Sequence, residues 1–448
     1  MALNTDYTTG SITRGMLRFS VPYLVSCFLQ TFYGMADLFI TGQFHTSGTI
    51  TAVAVGSQIM HMLTVMLVGL AMGTTVTISL ARGAKDERTV SESIFSSAGI
   101  FAAAAFVLTG ILLLCVDPIL RAVATPEEAF SEARRYLIPC FCGIPFITAY
   151  NVLGSVFRGC GDTKRPMVFV AVSGVVNIGL DYLFIGPWNM GAAGAAYATV
   201  LSQILAAALA LVSLKHHAAE LGIRRESLRM KKEMCRKILG IGIPVSLQDG
   251  FIQVSFLVIT AIANARGVDV AAAVGIVEKI VSFLFLVPSA MLSTVSALAA
   301  QNAGAGQHGR GREVLKNGIR ICVLFGAAVF LVCQAVSPAV VGLFVRSGGT
   351  VVVLGAQYLR SYTLDVLFGG IQFSFSGYFS AYGRSGYSFL HNVLAILLVR
   401  IPGAYLASVY FPETLYPLGF APALGSVLST VICVILFRRG RSRGYWDR

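Results

Sequence analysis

The sequence predicts an all-α integral membrane protein, with twelve transmembrane helices arranged as two six-helix lobes. Three observations predict it. The first is composition: of 448 residues, 56% are hydrophobic and 12% are charged, with a mean hydropathy of +0.75. A soluble domain is about 25% charged, so a soluble globule of this length is excluded. Disorder, collagen and disulfide scaffolds fail on the same figures. The second observation is a succession of apolar runs, each near the roughly 20 residues that cross a bilayer. The third is that the two halves of the chain match each other.

The spans follow in order. Span one, near 17–41, comes after a polar and then basic segment (Thr5 to Arg18) and carries Gln30 and Asp37. It lacks a cleavage site, so no signal peptide is expected. Spans two to six lie near 50–80, 92–116, 134–156, 167–186 and 191–214. The one long polar linker, Lys215 to Lys237, then divides the chain. Spans seven to twelve lie near 239–263, 271–298, 318–343, 351–379, 387–410 and 418–437. Gly and Pro interrupt several of them, as is common in membrane helices. The expected organisation is an N-lobe over 1–214, a cytoplasmic linker over 215–237 and a C-lobe over 238–448.

The repeat has a defined offset. Pro22 in "RFSVP" matches Pro244 in "GIGIP", and Phe157 and Gly161 match Phe379 and Gly383, all 222 residues apart. Ile178, Tyr182 and Leu183 match Ile401, Tyr405 and Leu406 at 223, and "VLS" recurs at 227. A slowly drifting offset is what loop insertions produce. Six spans per half is an even number, so both halves enter the membrane in the same direction. They form a parallel repeat with a pseudo-two-fold axis along the membrane normal, the usual frame of an alternating-access transporter. Orientation follows from charge. The N-terminal segment, every second loop and the C-terminal segment hold 26 of the 34 Lys and Arg; six, Arg346 among them, lie on the other side. This bias places both termini in the cytoplasm, and the expected location is the cell (inner) membrane. The bias also accounts for the +13 net charge without nucleic acid.

Charges inside a bilayer are costly and mark functional sites by default. Five of the 21 acidic residues sit within spans: Asp37, Asp181, Asp249, Glu278 and Asp365. At about 1.5 Å per residue, Asp37, Asp181 and Thr199 fall at a similar depth in the outer half. Asn177 lies one turn from Asp181 on the same face. Two carboxylates, an amide and a hydroxyl at one depth suit proton exchange, because both acids cannot ionise cheaply in a dry site. The same oxygens suit a hard cation such as sodium. The other reading is that both acids are satisfied polar residues pinning helices together. Under the repeat, Asp37 maps to Ile259, Asn177 to Arg400 and Asp181 to Ala404, so symmetric packing does not explain them.

Gln30, Tyr33 and Asp37 share one face of span one, and Asn151 lies deep in span four. These residues either line a wet cleft or bond between helices. In the C-half, Asp249 and Asp365 come out near mid-membrane and Glu278 further out. They form either a second cation or cationic-substrate site, or a locally neutralised set, with Lys279 beside Glu278. The nine cysteines form no metal-type pair, and His61 and His391 lack ligand spacing. HExxH, GxSxG and P-loop motifs are absent, so neither an enzyme nor a cofactor is expected, and no metal beyond a possible Na+.

The segment "FRGCGDTKRPM" (157–167) resembles the loop after span four of the multidrug and toxic compound extrusion (MATE) family. This family lies within a larger flippase and exporter superfamily. "GMADLFITG" in span one, "VVNIGLDYLFI" in span five and "GAAGAAYATVLS" in span six are similar to it as well, and the resemblance covers essentially the whole chain. It implies a usually monomeric exporter that exchanges organic cations for sodium or protons. In one branch the N-lobe cation residues correspond to Asp37, Asn177, Asp181 and Thr199. The proline whose kinking is tied to protonation corresponds to Pro22. Gln30, Tyr136 and Asn151 fall where that branch has cavity residues. Another branch uses acids on spans seven and ten, where Asp249 and Asp365 lie.

The expected function is secondary-active efflux of amphipathic, mostly cationic compounds in exchange for H+ or Na+, with the lipid bilayer and organic cations as partners. The alternative is a flippase for a lipid-linked anionic precursor. Its cavity would be basic, whereas Arg400 is the one cation inside a span that could line it, against five carboxylates.

Overall fold

The computed structural model describes residues 6–220, 223, 229–345 and 349–447, and every regular element among them is helical. Arg346 and much of the polar stretch after Glu220 lie outside the described residues. Two compact units emerge: Val21–Gly242 form the first, while Tyr7–Ser20 and Ile243–Arg448 form the second. The internal boundaries, Ser20/Val21 and Gly242/Ile243, are one repeat apart and stand just before Pro22 and Pro244.

The first unit is built on eight helices, the first of which enters it at Val21. These are α1 (Ile12–Phe44), α2 (Ser47–Gly83), α3 (Glu87–Leu114), α4 (Val116–Ala122), α5 (Glu127–Cys142), α6 (Ile144–Gly159), α7 (Lys164–Ile185) and α8 (Gly191–His216). Asp86 caps α3: its carboxylate accepts from the Thr89 amide at 3.0 Å and the Thr89 hydroxyl at 2.6 Å. These bonds hold Asp86 below the usual carboxylate range. Helices α5 and α6 are one span bent by 50° at Gly143, with Pro139 before the bend and Pro145 after it. Proline removes an intrahelical donor and clashes with the preceding turn, so the apolar run continues while the helix breaks.

Helix α9 (Lys232–Asn264) passes from the first unit into the second after Gly242, and the second unit continues with α10 (Val268–Leu284), α11 (Leu286–Gly304), α12 (His308–Gly342) and α13 (Gly349–Ala381). Then come α14 (Ser385–Ala395), a π-helical stretch (Ile396–Arg400), α15 (Ile401–Tyr410) and α16 (Tyr416–Ser442). The α10–α11 pair and the α14–α15 pair each make one span.

Among the described residues, ten helices or in-line pairs are long and apolar enough to cross a membrane, and the bent α5–α6 pair makes eleven. Helix α13 completes the twelve. It is 33 residues long, but it buries Ser, Tyr, Thr, Asp365 and Gln372 along its length. A helix enclosed by its neighbours has no need of a lipid-like surface, so hydropathy underrates it.

Packing is close where glycine permits it. A methyl group on Gly73 would lie 2.0 Å from the Ile238 carbonyl oxygen, and one on Gly242 2.2 Å from the Leu70 carbonyl oxygen. Two helices thereby meet backbone to backbone, as small residues allow in membranes. The start of α9 is pinned further. The Lys231 ammonium stands 2.6 Å from the Glu92 carboxylate, and the Lys231 amide donates to the Ser96 hydroxyl at 3.2 Å.

Candidate functional site

The site of interest lies wholly in the first unit, where α1, α7 and α8 meet. Helices α7 and α8 are joined by a tight turn whose residues Asn189 and Gly191 take positive φ, 49° and 60°. This short reversal sets the two helices side by side. Helix α1 closes on them at Tyr33, whose ring sits where a side chain on Gly174 would be. The Gln203 side-chain amide on α8 donates to the Tyr33 hydroxyl at 3.3 Å.

One turn further along α1 is Asp37, 4% exposed; facing it on α7 are Asp181 and Asn177, both 0% exposed. The Asp181 carboxyl lies against that of Asp37. The Thr199 hydroxyl on α8 donates to Asp37 Oδ2 at 3.4 Å. The Thr41 hydroxyl turns back to the Asp37 carbonyl at 2.7 Å, so it serves the helix and not the carboxyl. Of the expected quartet, Asp37, Asp181 and Thr199 are thus brought together, and Asn177 is buried one helical turn from Asp181 with its amide unpaired.

The cluster is short of hydrogen bonds. Asp37 Oδ1, both Asp181 oxygens and both polar atoms of the Asn177 amide have no hydrogen-bond partner. Buried polar groups are nearly always paired. An ionised carboxylate only accepts, so two facing carboxylates cannot satisfy each other. Two charges this close in a dry interior are strongly opposed. A proton on either acid turns the contact into an O–H···O bond. A hard cation would find oxygens from both acids, from Asn177 and from Thr199. Among the described residues no group of three or more His, Cys, Asp or Glu gathers as a metal site; the arrangement supplies two acids and neutral ligands.

Tyr136 on α5 is buried next to this cluster, close enough for the charges of both acids to act on it. Its ring fills the space above Gly56, and its hydroxyl pairs with that of Ser57 at 3.1 Å. The other expected residues stand differently. Asn151 is buried, but its amide donates to the Ile147 carbonyl of its own helix at 2.8 Å. Gln30 is half-buried on α1. Pro22 lies inside α1, and the carbonyl it contributes accepts from the Ser26 hydroxyl at 3.0 Å. Gln203 and Ser57 were not singled out from sequence. Gln203 is one turn from Thr199 in an alanine-rich span, which is the signal that would have marked it.

The acids of the second unit are not gathered in the same way. Glu278 on α10 accepts from the Thr260 hydroxyl at 2.9 Å. Asp365 on α13 is 1% exposed and lies beside the Ser426 hydroxyl, which also accepts from the Gln372 amide at 3.0 Å. Asp249 is half-buried on α9. His391 is held between the hydroxyls of Ser376 (3.0 Å) and Ser429 (2.6 Å), a satisfied core histidine.

Comparison with known proteins places the chain in a family. The chain is 28% identical over 444 residues to the probable multidrug resistance protein YpnP of Bacillus subtilis, covering 97% of each chain. It is 26% identical over 438 residues to the multidrug export protein MepA of Staphylococcus aureus, covering 95% of this chain and 94% of that one. A crystal structure of MATE in complex with MaL6 shares the fold with a TM-score of 0.89 at 22% identity, covering 98% of this chain and 97% of that one. The MatE family model matches twice, over residues 22–183 and 244–406. Each match starts on one of the paired prolines, as the internal repeat requires. The chain belongs to the MatE family, and it is a MATE family transporter built on that family's twelve-helix, two-lobe fold.

Proposed function

We propose that the protein is a multidrug exporter of the cell membrane. It expels organic, mostly cationic and amphipathic compounds in exchange for H+ or Na+, with both termini cytoplasmic and the chain acting as a monomer. The relatives named for multidrug resistance and export support the first part of this reading. The observation that carries the second is the buried Asp37–Asp181 pair, three of whose four carboxyl oxygens have no hydrogen-bond partner.

The exchange follows from charge. With both acids ionised, the pair repels and its net charge favours a cationic guest nearby. Entry of one proton or one sodium ion takes away one of the two negative charges, relieves the repulsion so that α1 and α7 close on each other, and weakens the attraction for the guest. Return of the ion to the other side resets the pair. Thr199 holds the Asp37 carboxyl, Asn177 brings an unpaired amide one turn from Asp181, and Pro22 gives α1 a point at which to bend. Gln30, Tyr33, Tyr136 and Asn151 border the path of the guest. Asp249, Glu278 and Asp365 stand outside this exchange.

The test is ethidium efflux from proteoliposomes under an imposed proton gradient and then an imposed sodium gradient. Efflux is expected with one of the two, which identifies the ion, and Asp181→Asn is expected to abolish it at normal expression. Efflux under neither gradient overturns the antiporter and makes lipid-linked anionic precursors the next substrates to assay.

A further inference from the structure

The last helix carries its lipid-facing stripe into a patch of arginines. Val431 and Ile435 on α16 are 49% and 45% exposed; on a membrane span, exposed apolar side chains face hydrocarbon. Arg439 and Arg443 continue the same four-residue spacing and are exposed as well, so the four side chains follow one line along the helix. The end of α16 is fixed in shape. Gly444 takes a φ of 65°, its amide donates to the Arg441 carbonyl at 3.1 Å, and the Tyr445 amide donates to the Gly440 carbonyl at 2.9 Å. A left-handed glycine with these two bonds closes a helix end. Tyr445 is thereby set beside Arg443 and against the guanidinium of Arg384, which comes from the turn between α13 and α14 and lies 4.1 Å from the ring centroid. Arg384 is itself exposed. Three guanidinium groups, those of Arg384, Arg439 and Arg443, gather where the apolar stripe stops.

The protein itself leaves these charges without a counter-charge. Arg438, Arg439, Arg441 and Arg443 put four cations in six residues with no acid among them. Basic residues elsewhere in the chain have an acid at hand, as Lys316 has Glu313 and Arg165 has Asp162. Among the described residues no acid pairs with Arg384, Arg439 or Arg443, and the neighbouring Asp447 is taken by Arg312 at 2.9 Å. Two simpler accounts fall short. The helix dipole favours cations in the last turn, which covers Arg439 and Arg441 but not Arg384 on another element or Arg443 beyond the helix. Orientation of the chain needs basic residues in the loops, but it does not need them gathered on the line of the lipid-facing side chains.

An anion with an apolar tail meets both halves of this surface. We propose that Arg384, Arg439 and Arg443 form a headgroup site for an anionic phospholipid, with its phosphate among the three guanidinium groups and its acyl chains along Val431 and Ile435. The planar fork of a guanidinium matches the oxygens of a phosphate, and clusters of arginine at the end of a membrane helix attract anionic lipid. The site belongs to the second unit and takes no part in the exchange at Asp37 and Asp181, so each of the two readings stands or falls without the other.

Native mass spectrometry tests this on the full-length protein, released from micelles that hold equal amounts of phosphatidylglycerol and phosphatidylcholine with the same acyl chains. The wild type is expected to retain phosphatidylglycerol in preference, and to keep it in an excess of inorganic phosphate. Combining Arg384→Gln, Arg439→Gln and Arg443→Gln removes three charges at the membrane surface and is expected to lower that retention about tenfold or more. Arg441→Gln is the control: residues two apart on a helix do not face each other, so this change is expected to leave retention as it was. Equal retention of the two lipids by the wild type overturns the proposal, as does unchanged retention in the triple variant. An equal loss in Arg441→Gln overturns it in favour of net charge alone, and displacement by inorganic phosphate overturns it in favour of a soluble anion. If the triple variant is not monodisperse, Arg384→Gln alone, on an exposed turn, takes its place: a loss of retention there supports the site, and unchanged retention overturns it.

Discussion

At the scale of single residues, the central fact is a pair of acids that costs stability where it stands. Asp37 and Asp181 face each other with three of their four carboxyl oxygens unpartnered. A group that merely pinned helices together would be bonded across the junction, as Gln203 is to Tyr33. This difference gives a prediction with opposite signs for the two roles. Asp37→Asn introduces an N–H2 donor in reach of the empty Asp181 oxygens and removes one of two opposed charges. Satisfying a buried acceptor is worth about 1–3 kcal/mol, so the variant is expected to melt at the same temperature or a few degrees higher while gradient-driven efflux is lost. Thermal unfolding in detergent, read beside transport, checks it. A melting temperature several degrees lower would assign Asp37 a structural role. The four members of this cluster were legible in the sequence because polar residues in apolar helices can be assigned a depth by counting. What counting did not resolve is direction. Asn151 lies at a suitable depth but spends its amide on Ile147, and Arg400 is reoriented by a π-helical stretch that no periodicity reveals.

At the scale of helices, the apolar runs gave the spans and hid their interruptions. Hydropathy is blind to Pro139 and Pro145, because a run stays apolar while its helix bends by 50°. It also underrates α13, whose surroundings are protein and not lipid. The other surprise at this scale lies beyond α16. Trp446 is fully buried. It stacks on Phe379 and Phe437, with centroids 5.6 and 6.0 Å apart, and meets Tyr378 and Tyr382 edge-on. Its indole N–H donates to the Phe437 carbonyl at 2.8 Å, and its ring covers Gly440 so closely that no Cβ fits there. Asp447 next to it pairs with Arg312 at 2.9 Å. Residues after the last span thus clamp α13 to α16. Removing a buried aromatic costs about 3–5 kcal/mol, so Trp446→Ala is expected to lower the melting temperature of the purified protein by several degrees, while Asp447→Asn, on an exposed ion pair, changes it little. Equal effects of the two substitutions would refute a clamp made by the aromatic cluster.

At the scale of the molecule, charge sets which way the chain crosses the membrane. Lys and Arg hold a polypeptide segment on the cytoplasmic side by their charge, and they do so within short loops. Here 26 of 34 fall on one side, a bias set before any folding. The described contacts on that side fit it: Glu92 is shared by Arg88 and Lys231, and Arg310 donates to the Gly10 carbonyl at 3.2 Å, so basic residues there also serve packing. The turn between α15 and α16, by contrast, exposes Phe411, Pro412 and Glu413 and carries no Lys or Arg of its own. In a cysteine-free background, Glu413→Cys is therefore expected to react with a membrane-impermeant maleimide added to intact cells. Ser442→Cys, in the basic end of α16, is expected to react only after the membrane is opened. The inverse pattern would reverse the orientation, and with it the direction in which the Asp37–Asp181 exchange moves a guest; labelling of both sites in intact cells would break the even number of spans on which the parallel repeat depends.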